Sequence, residues 1–297
     1  MRFESFHPAL AFFWFAAVIG CTIAFHHPVF LALSYLCALF YAIRLSQKRA
    51  IRLAVVLWGL AALYVLWYAL NEHFGVTPLF RLPSGNRVTL EAILRGAMVA
   101  VTVSAAALWL FCMHKVITAD KVVYLFGRIS PRLSLFLAVI FRMTPHLRGQ
   151  FSRITAARRG IGLAPAQGSV WARIKNFFAA VSMTVTWLID ALVTASDSMR
   201  SRGYTLKGRT AFPLRRFGKY DLLLSLVLAA LLAVTLLGAI TGETAALFDP
   251  ALSIRPLTLR TVLFSAAYAL LCLLPILTKI CQENRPLDIN MPGGRFS

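Results

Sequence analysis

Long apolar runs dominate the chain, separated by short polar breaks and one long basic stretch. A bilayer crossing needs about 20 predominantly apolar residues, and six runs come up as candidates: 9–25, 28–43, 51–70, 92–113, 220–240 and 259–280. The first two are joined only by Phe25-His26-His27-Pro28, which reads as a tight interfacial turn. Two histidines without a third ligand do not make a zinc site. Residues 1–8 lead straight into the first run with no small-residue cleavage pattern, so that run is expected to be an uncleaved span.

The stretch 114–219 has a different texture, and its periodicity predicts three helices. The first is short, about 118–128, with Thr118 placed to cap it. Pro131, favourable in a first turn, opens the second, which runs to about Arg159. Its apolar positions Leu133, Phe136, Ile140, Met143, Leu147, Phe151 and Ile154 recur at steps of three and four, as one helix face requires. Pro145 cannot donate to Phe141 and is expected to kink it. Breakers fill 160–168: Gly160, Gly162, Pro165 and Gly168. The third helix spans about 169–202. Its stripe Trp171, Ile174, Phe178, Val181, Val185, Leu188, Leu192, Ala195 and Met199 alternates steps of three and four, which predicts a coiled-coil-like contact seam. Ser182, Thr186, Asp190 and Thr194 form a polar row beside it. Residues 177–195 are apolar enough to cross a membrane, but the seam, the polar row and the flanking arginines favour an amphipathic helix in the interface.

Charge sets the orientation. The net charge is +20, and 114–219 holds 18 Lys and Arg against three acids, a net of +15. Cytoplasmic loops collect Lys and Arg. Arg44, Lys48, Arg49 and Arg52, together with 114–219, therefore come out cytoplasmic, and the loops 71–91 and 241–258, with Glu72, Glu91, Glu243 and Asp249, face outward. Both termini are then expected inside a cell inner or plasma membrane. Composition agrees: 59% of residues are hydrophobic, 14% are charged, and the mean hydropathy is +0.72, against about 45–50% apolar and 25% charged in soluble domains. The expected organisation is an all-α integral membrane protein: N-terminal spans over 1–113, a cytoplasmic-face helical section over 114–219, and C-terminal spans with a short tail over 220–297. The five cysteines (Cys21, Cys37, Cys112, Cys272 and Cys281) lie mostly in apolar runs at spacings that match no metal motif.

The informative pattern is at the helix ends. The second helix of the basic section closes Ala156-Ala157-Arg158-Arg159-Gly160, and the third closes Ser198-Met199-Arg200-Ser201-Arg202-Gly203-Tyr204. Each puts Arg before Gly at a helix C-terminus. Glycine takes the left-handed cap cheaply, and arginine suits the negative end of the helix dipole, so a plain cap accounts for either alone. The same pair twice, at the ends of two adjacent amphipathic helices, is more specific.

With these two ends, the chain resembles the transmembrane T component of energy-coupling factor (ECF) transporters, over residues 92–240. That family closes two coupling helices with Ala-Arg-Gly signatures; here Arg158-Arg159-Gly160 and Ser201-Arg202-Gly203 keep the Arg-Gly core and replace the Ala. The family's Arg-x-x-Pro step is matched by Arg142-Met143-Thr144-Pro145. The N-terminal spans match only in kind, and the span 259–280 is additional to the commoner pattern. The resemblance implies an L-shaped scaffold of about six spans with long coupling helices. It would sit between two ABC ATPase subunits, as a homo- or heterodimer, and a small substrate-binding membrane (S) subunit, for uptake of a vitamin or transition-metal ion. The signature arginines would dock on the ATPases, with Arg158 in reserve beside Arg159. No catalytic, metal or cofactor site and no nucleic-acid partner is implied.

Enzyme signatures are missing from the sequence: no GxxxxGK[ST], HExxH or GxSxG occurs. Asp120, Asp190 and Asp197 are isolated acids on predicted helices. The chain therefore reads as non-catalytic, with ATP hydrolysis on partner chains. Two other readings stand beside the scaffold. One is a conventional ABC permease with its own pathway, which a single short coupling loop would suit better. The other is a membrane-bound enzyme or nucleic-acid tether resting on the basic section, although lipid-facing amphipathic helices explain that charge.

Overall fold

The computed structural model describes residues 7–72, 77–81, 87–204, 218–242, 244 and 258–283. Glu243, Asp249, Cys281's side chain, the basic stretch 205–217 and everything beyond 283 lie outside the described residues. The chain divides into two compact units, Met1–Thr118 with Arg216–Ser297, and Ala119–Arg215.

The first unit holds α1 (Pro8–Ala24), α2 (Pro28–Asn71), a hairpin of β1 (Pro78–Arg81) and β2 (Arg87–Thr89), α3 (Leu90–Val116), α7 (Lys219–Ile240) and α8 (Leu259–Glu283). The second holds α4 (Ala119–Ile129), α5 (Pro131–Gly160) and α6 (Val170–Ser201). Among the described residues five helices are long and apolar enough to cross a membrane, namely α2, α3, α6, α7 and α8, and α1 is a shorter apolar helix. This is a multi-pass, all-α membrane architecture.

Local chemistry sets the helix starts. His7-Pro8 and His27-Pro28 open α1 and α2 alike: the histidine Nδ1 accepts the N–H two residues on, from Ala9 at 3.3 Å and Val29 at 3.4 Å. Proline follows at the position where a missing N–H costs nothing. The histidines of the first turn are therefore helix caps and turn residues. Thr89 and Ser169 cap α3 and α6 through their hydroxyls.

α2 runs through the expected second and third spans as one 44-residue helix, interrupted at Ser46 alone (φ −161°, ψ 78°). In a straight helix Tyr35 and Trp58 would lie roughly 34 Å apart at 1.5 Å per residue. Instead Trp58 Nε1 donates to Tyr35 OH at 2.6 Å. The chain therefore folds back at Ser46, and the two halves form an antiparallel pair, as the two separate apolar runs required.

Water is unavailable to satisfy polar groups in a bilayer, so they pair internally. At the centre of the first unit Thr22 Oγ1 bonds Ser34 Oγ (2.7 Å) and Tyr268 OH (3.0 Å), and Trp109 Nε1 donates to Ser34 Oγ (3.0 Å). This cluster ties α1, α2, α3 and α8 together. Trp14, Tyr41 and Trp109 pack around it with ring centroids 5.5–6.4 Å apart. Pro275 lies inside α8 and has no N–H for the carbonyl of Leu271. Trp14 Nε1 supplies the missing donor at 2.9 Å. The additional C-terminal span is thus part of the core: Tyr268, Leu271 and Cys272 are fully buried. α7 meets α8 at Gly238, where an added Cβ would come within 2.8 Å of the Phe264 ring. The four cysteines Cys21, Cys37, Cys112 and Cys272 are buried thiols.

In the second unit, α5 and α6 begin and end within a residue or two of their expected bounds. α5 runs through Pro145 without interruption, and Arg142 and Pro145 are both exposed on it. The expected seam on α6 is a different matter. Trp171 is 81% exposed and Val185 47%, whereas Asn176, Ala180 and Thr184 are buried. α5 packs along this side of α6, through Arg158 against Asn176 and, beside the row, Phe151 against Phe177 (centroids 6.1 Å). Small residues let two backbones approach closely, and van der Waals contact rather than apolarity selects the face. Of the apolar stripe, Trp171, Ile174, Phe178, Val185 and Leu192 are left exposed, and Val181, Leu188, Ala195 and Met199 are half-buried. Ala180→Leu should overpack the contact and cost about 1–3 kcal/mol. Val185→Asp should change the thermal stability of the detergent-purified chain by no more than about 0.5 kcal/mol. Equal losses from the two would contradict this choice of face.

Candidate functional site

The sequence directs attention to the two helix ends of the second unit, and each is built by a recognisable set of backbone bonds. At the end of α5, Gly162 N donates to Arg159 O (3.2 Å) and Leu163 N to Arg158 O (2.9 Å). At the end of α6, Gly203 N donates to Arg200 O (3.0 Å) and Tyr204 N to Met199 O (3.2 Å). Both are Schellman motifs, with the glycine in the left-handed region and a side chain capable of apolar contact just after it. The left-handed glycines are Gly162 (φ 74°) and Gly203 (φ 74°). Gly160 is not the cap: it is still the last residue of α5, and the reversal comes two residues later.

The two adjacent arginines of α5 differ completely. Arg158 is only 9% exposed. Its Nε donates to Leu163 O (3.1 Å), Nη2 to Asn176 Oδ1 (3.5 Å), and Nη1 approaches Met183 Sδ (3.8 Å). Asn176 Nδ2 in turn donates to Ala164 O (3.4 Å), and Gln167 Oε1 accepts from Ala164 N (3.1 Å). Arg158 thus pins the turn 161–168 onto α6. The reading of Arg158 as a reserve docking residue is corrected on this ground: its guanidinium is spent inside the fold. Arg159, one residue and about 100° further round the helix, is exposed.

At the other end Arg202 is the C-cap residue of α6, and it is exposed, as are Arg200 and Ser201. The side chains of Arg159, Arg200 and Arg202 have no partner among the described residues. α5 and α6 meet near the α5 end, where Arg158 touches Met183. Arg202 lies 19 residues beyond Met183, or roughly 28 Å along the helix. The two arginine-bearing ends are therefore well separated points on one helical hairpin.

Sequence reasoning missed the cluster of Arg158, Asn176 and Gln167. The available signal was Asn176, an amide amid apolar residues with no reason to be there unless paired. Among the described residues no three His, Cys, Asp or Glu side chains come together as a metal set. Asp120, Asp190 and Asp197 are exposed on their helices. The sequence matches no protein-family model and no curated protein.

Proposed function

We propose that this chain is the transmembrane coupling subunit of an ECF-type importer, the T component, with exposed helix-end arginines that dock on two cytosolic ABC ATPases. A small membrane protein would carry the substrate, a vitamin or transition-metal ion, and the chain itself would be non-catalytic. One observation carries the reading: two long helices of one unit end in the same glycine cap, each bearing exposed arginine without a partner among the described residues, at well separated points of one hairpin. A helix end delivers a side chain rigidly, and the guanidinium fork makes bidentate, charge-assisted bonds to carboxylates. Two such ends on one hairpin suit a partner with two receptor surfaces that move relative to each other. The basic second unit and the apolar first unit fit a scaffold whose charged face is cytoplasmic.

The test is co-purification of ATPases with the tagged chain, the ATPases being identified by their P-loop peptides. Arg159→Ala with Arg202→Ala should weaken association by about 10- to 150-fold per lost contact, the equivalent of 1.5–3 kcal/mol each, with size-exclusion behaviour unchanged. Arg153→Ala, which removes an equally exposed charge from α5, should have no effect. Full ATPase recovery and full uptake by the double variant would leave the arginines with no role beyond capping.

A further inference from the structure

Superposed by their hydrogen bonds, the two helix ends do not align where their letters do. Arg-Gly recurs with a spacing of 43 residues, from Gly160 to Gly203, whereas the left-handed glycines Gly162 and Gly203 are 41 apart. In the backbone frame Arg159 corresponds to Arg200: each lies three residues before its glycine, and each carbonyl accepts that glycine's N–H. Gly160 corresponds to Ser201, Leu163 to Tyr204, and the slot of Arg202 is filled on α5 by Ile161. Since a side chain's direction follows from its position relative to the cap, Arg200 leaves α6 as Arg159 leaves α5.

We infer that Arg200 is a docking residue, the true counterpart of Arg159, and that the two ends meet chemically different surfaces. This rests on the ATPase-docking reading above. The α6 end carries two exposed arginines, Arg200 and Arg202, two residues and so roughly 200° apart round the helix end. Two guanidinium forks that project in different directions call for two separate carboxylates in the receptor. The α5 end offers one free arginine, because Arg158 is committed inward, and beside it Ile161, 70% exposed, in the slot of the second. That end calls for one carboxylate opposite Arg159 and an apolar patch opposite Ile161, where a second buried acid would stand unpaired and weaken binding. The ends are therefore not interchangeable.

The ATPases recovered with the wild-type chain are titrated onto detergent-solubilised Arg159→Ala, Arg200→Ala, Arg202→Ala and Arg200→Ala/Arg202→Ala variants, at low and high salt, with thermal stability measured alongside. Arg200→Ala should weaken binding by about tenfold or more, comparably to Arg159→Ala, with no loss of stability. The Arg200/Arg202 double variant should lose the most salt sensitivity. Wild-type affinity in Arg200→Ala, with weakened binding in Arg202→Ala, would overturn this assignment and leave the docking reading intact. Wild-type affinity in all four variants, or no P-loop protein recovered with the wild-type chain, would overturn both.

Discussion

Replacing Trp14 by Phe should destabilise the first unit by about 1–3 kcal/mol, and replacing Pro275 by Ala should give most of that back. The tryptophan's indole N–H is the donor to the Leu271 carbonyl, which Pro275 leaves without its helical partner. Phe keeps an aromatic ring of smaller volume and removes the donor, so a buried acceptor is orphaned at its full desolvation cost. Ala at 275 restores a backbone N–H at the position four residues after Leu271. The double variant should therefore be more stable than Trp14→Phe alone, while Pro275→Ala by itself should be close to neutral, because the carbonyl already has a donor. The coupling energy from the four proteins in the same detergent isolates this one bond. Additive effects would mean that the Trp14–Leu271 contact contributes nothing that Pro275 makes necessary.

The second large effect separates neighbours. Arg158→Ala should lower the thermal stability of the chain by about 2–3 kcal/mol, since it strips donors from Leu163 and Asn176 in a buried cluster. Any loss of ATPase binding should then follow the loss of fold. Arg159→Ala should do the reverse, with stability unchanged and binding reduced. Arg158→Lys should rescue poorly, because one ammonium cannot serve acceptors on both the turn and α6 in the geometry of a planar fork. Protection of the amides in 161–168 from hydrogen exchange is a direct readout: it should fall in Arg158→Ala and stay at the wild-type level in Arg159→Ala. If both variants behave alike, the inward role of Arg158 is wrong.

Much of this was legible in the sequence, for definite reasons. Pro131, Ser169 and the glycines after α5 and α6 are strong local punctuation, so those helices fell within a residue or two of their expected bounds. The apolar runs were long enough to name the spans, and the polar residues around Ser46 marked a reversal that one non-helical residue makes. Faces were not legible. Arg158 and Arg159 are adjacent letters, and only the packing of α5 on α6 decides which points inward. On α6 the apolar stripe suggested the contact, but in a membrane protein apolar residues also cover outer surfaces, and the internal contact went to Ala180, Asn176 and Thr184. The cap of α5 was written as Gly162-Leu163, the Schellman pattern of glycine followed by an apolar residue. The Arg-Gly pair two residues earlier drew attention away from it.

The core of the first unit joins α1 to α8 across almost the whole chain, and that has a consequence for biosynthesis. Trp14 and Leu271 are 257 residues apart, which at bacterial to eukaryotic translation speeds of 5–20 residues per second is about 13–50 s of synthesis. Within that interval α2 and α3 are made and join α1, while the indole of Trp14 lacks its Leu271 acceptor and Thr22 its Tyr268 partner throughout. The basic helices α4 to α6 are made in the meantime, between the two halves of a unit that cannot yet close. The nascent protein must wait in the membrane with its polar centre open, and it becomes a finished object only when α8 arrives.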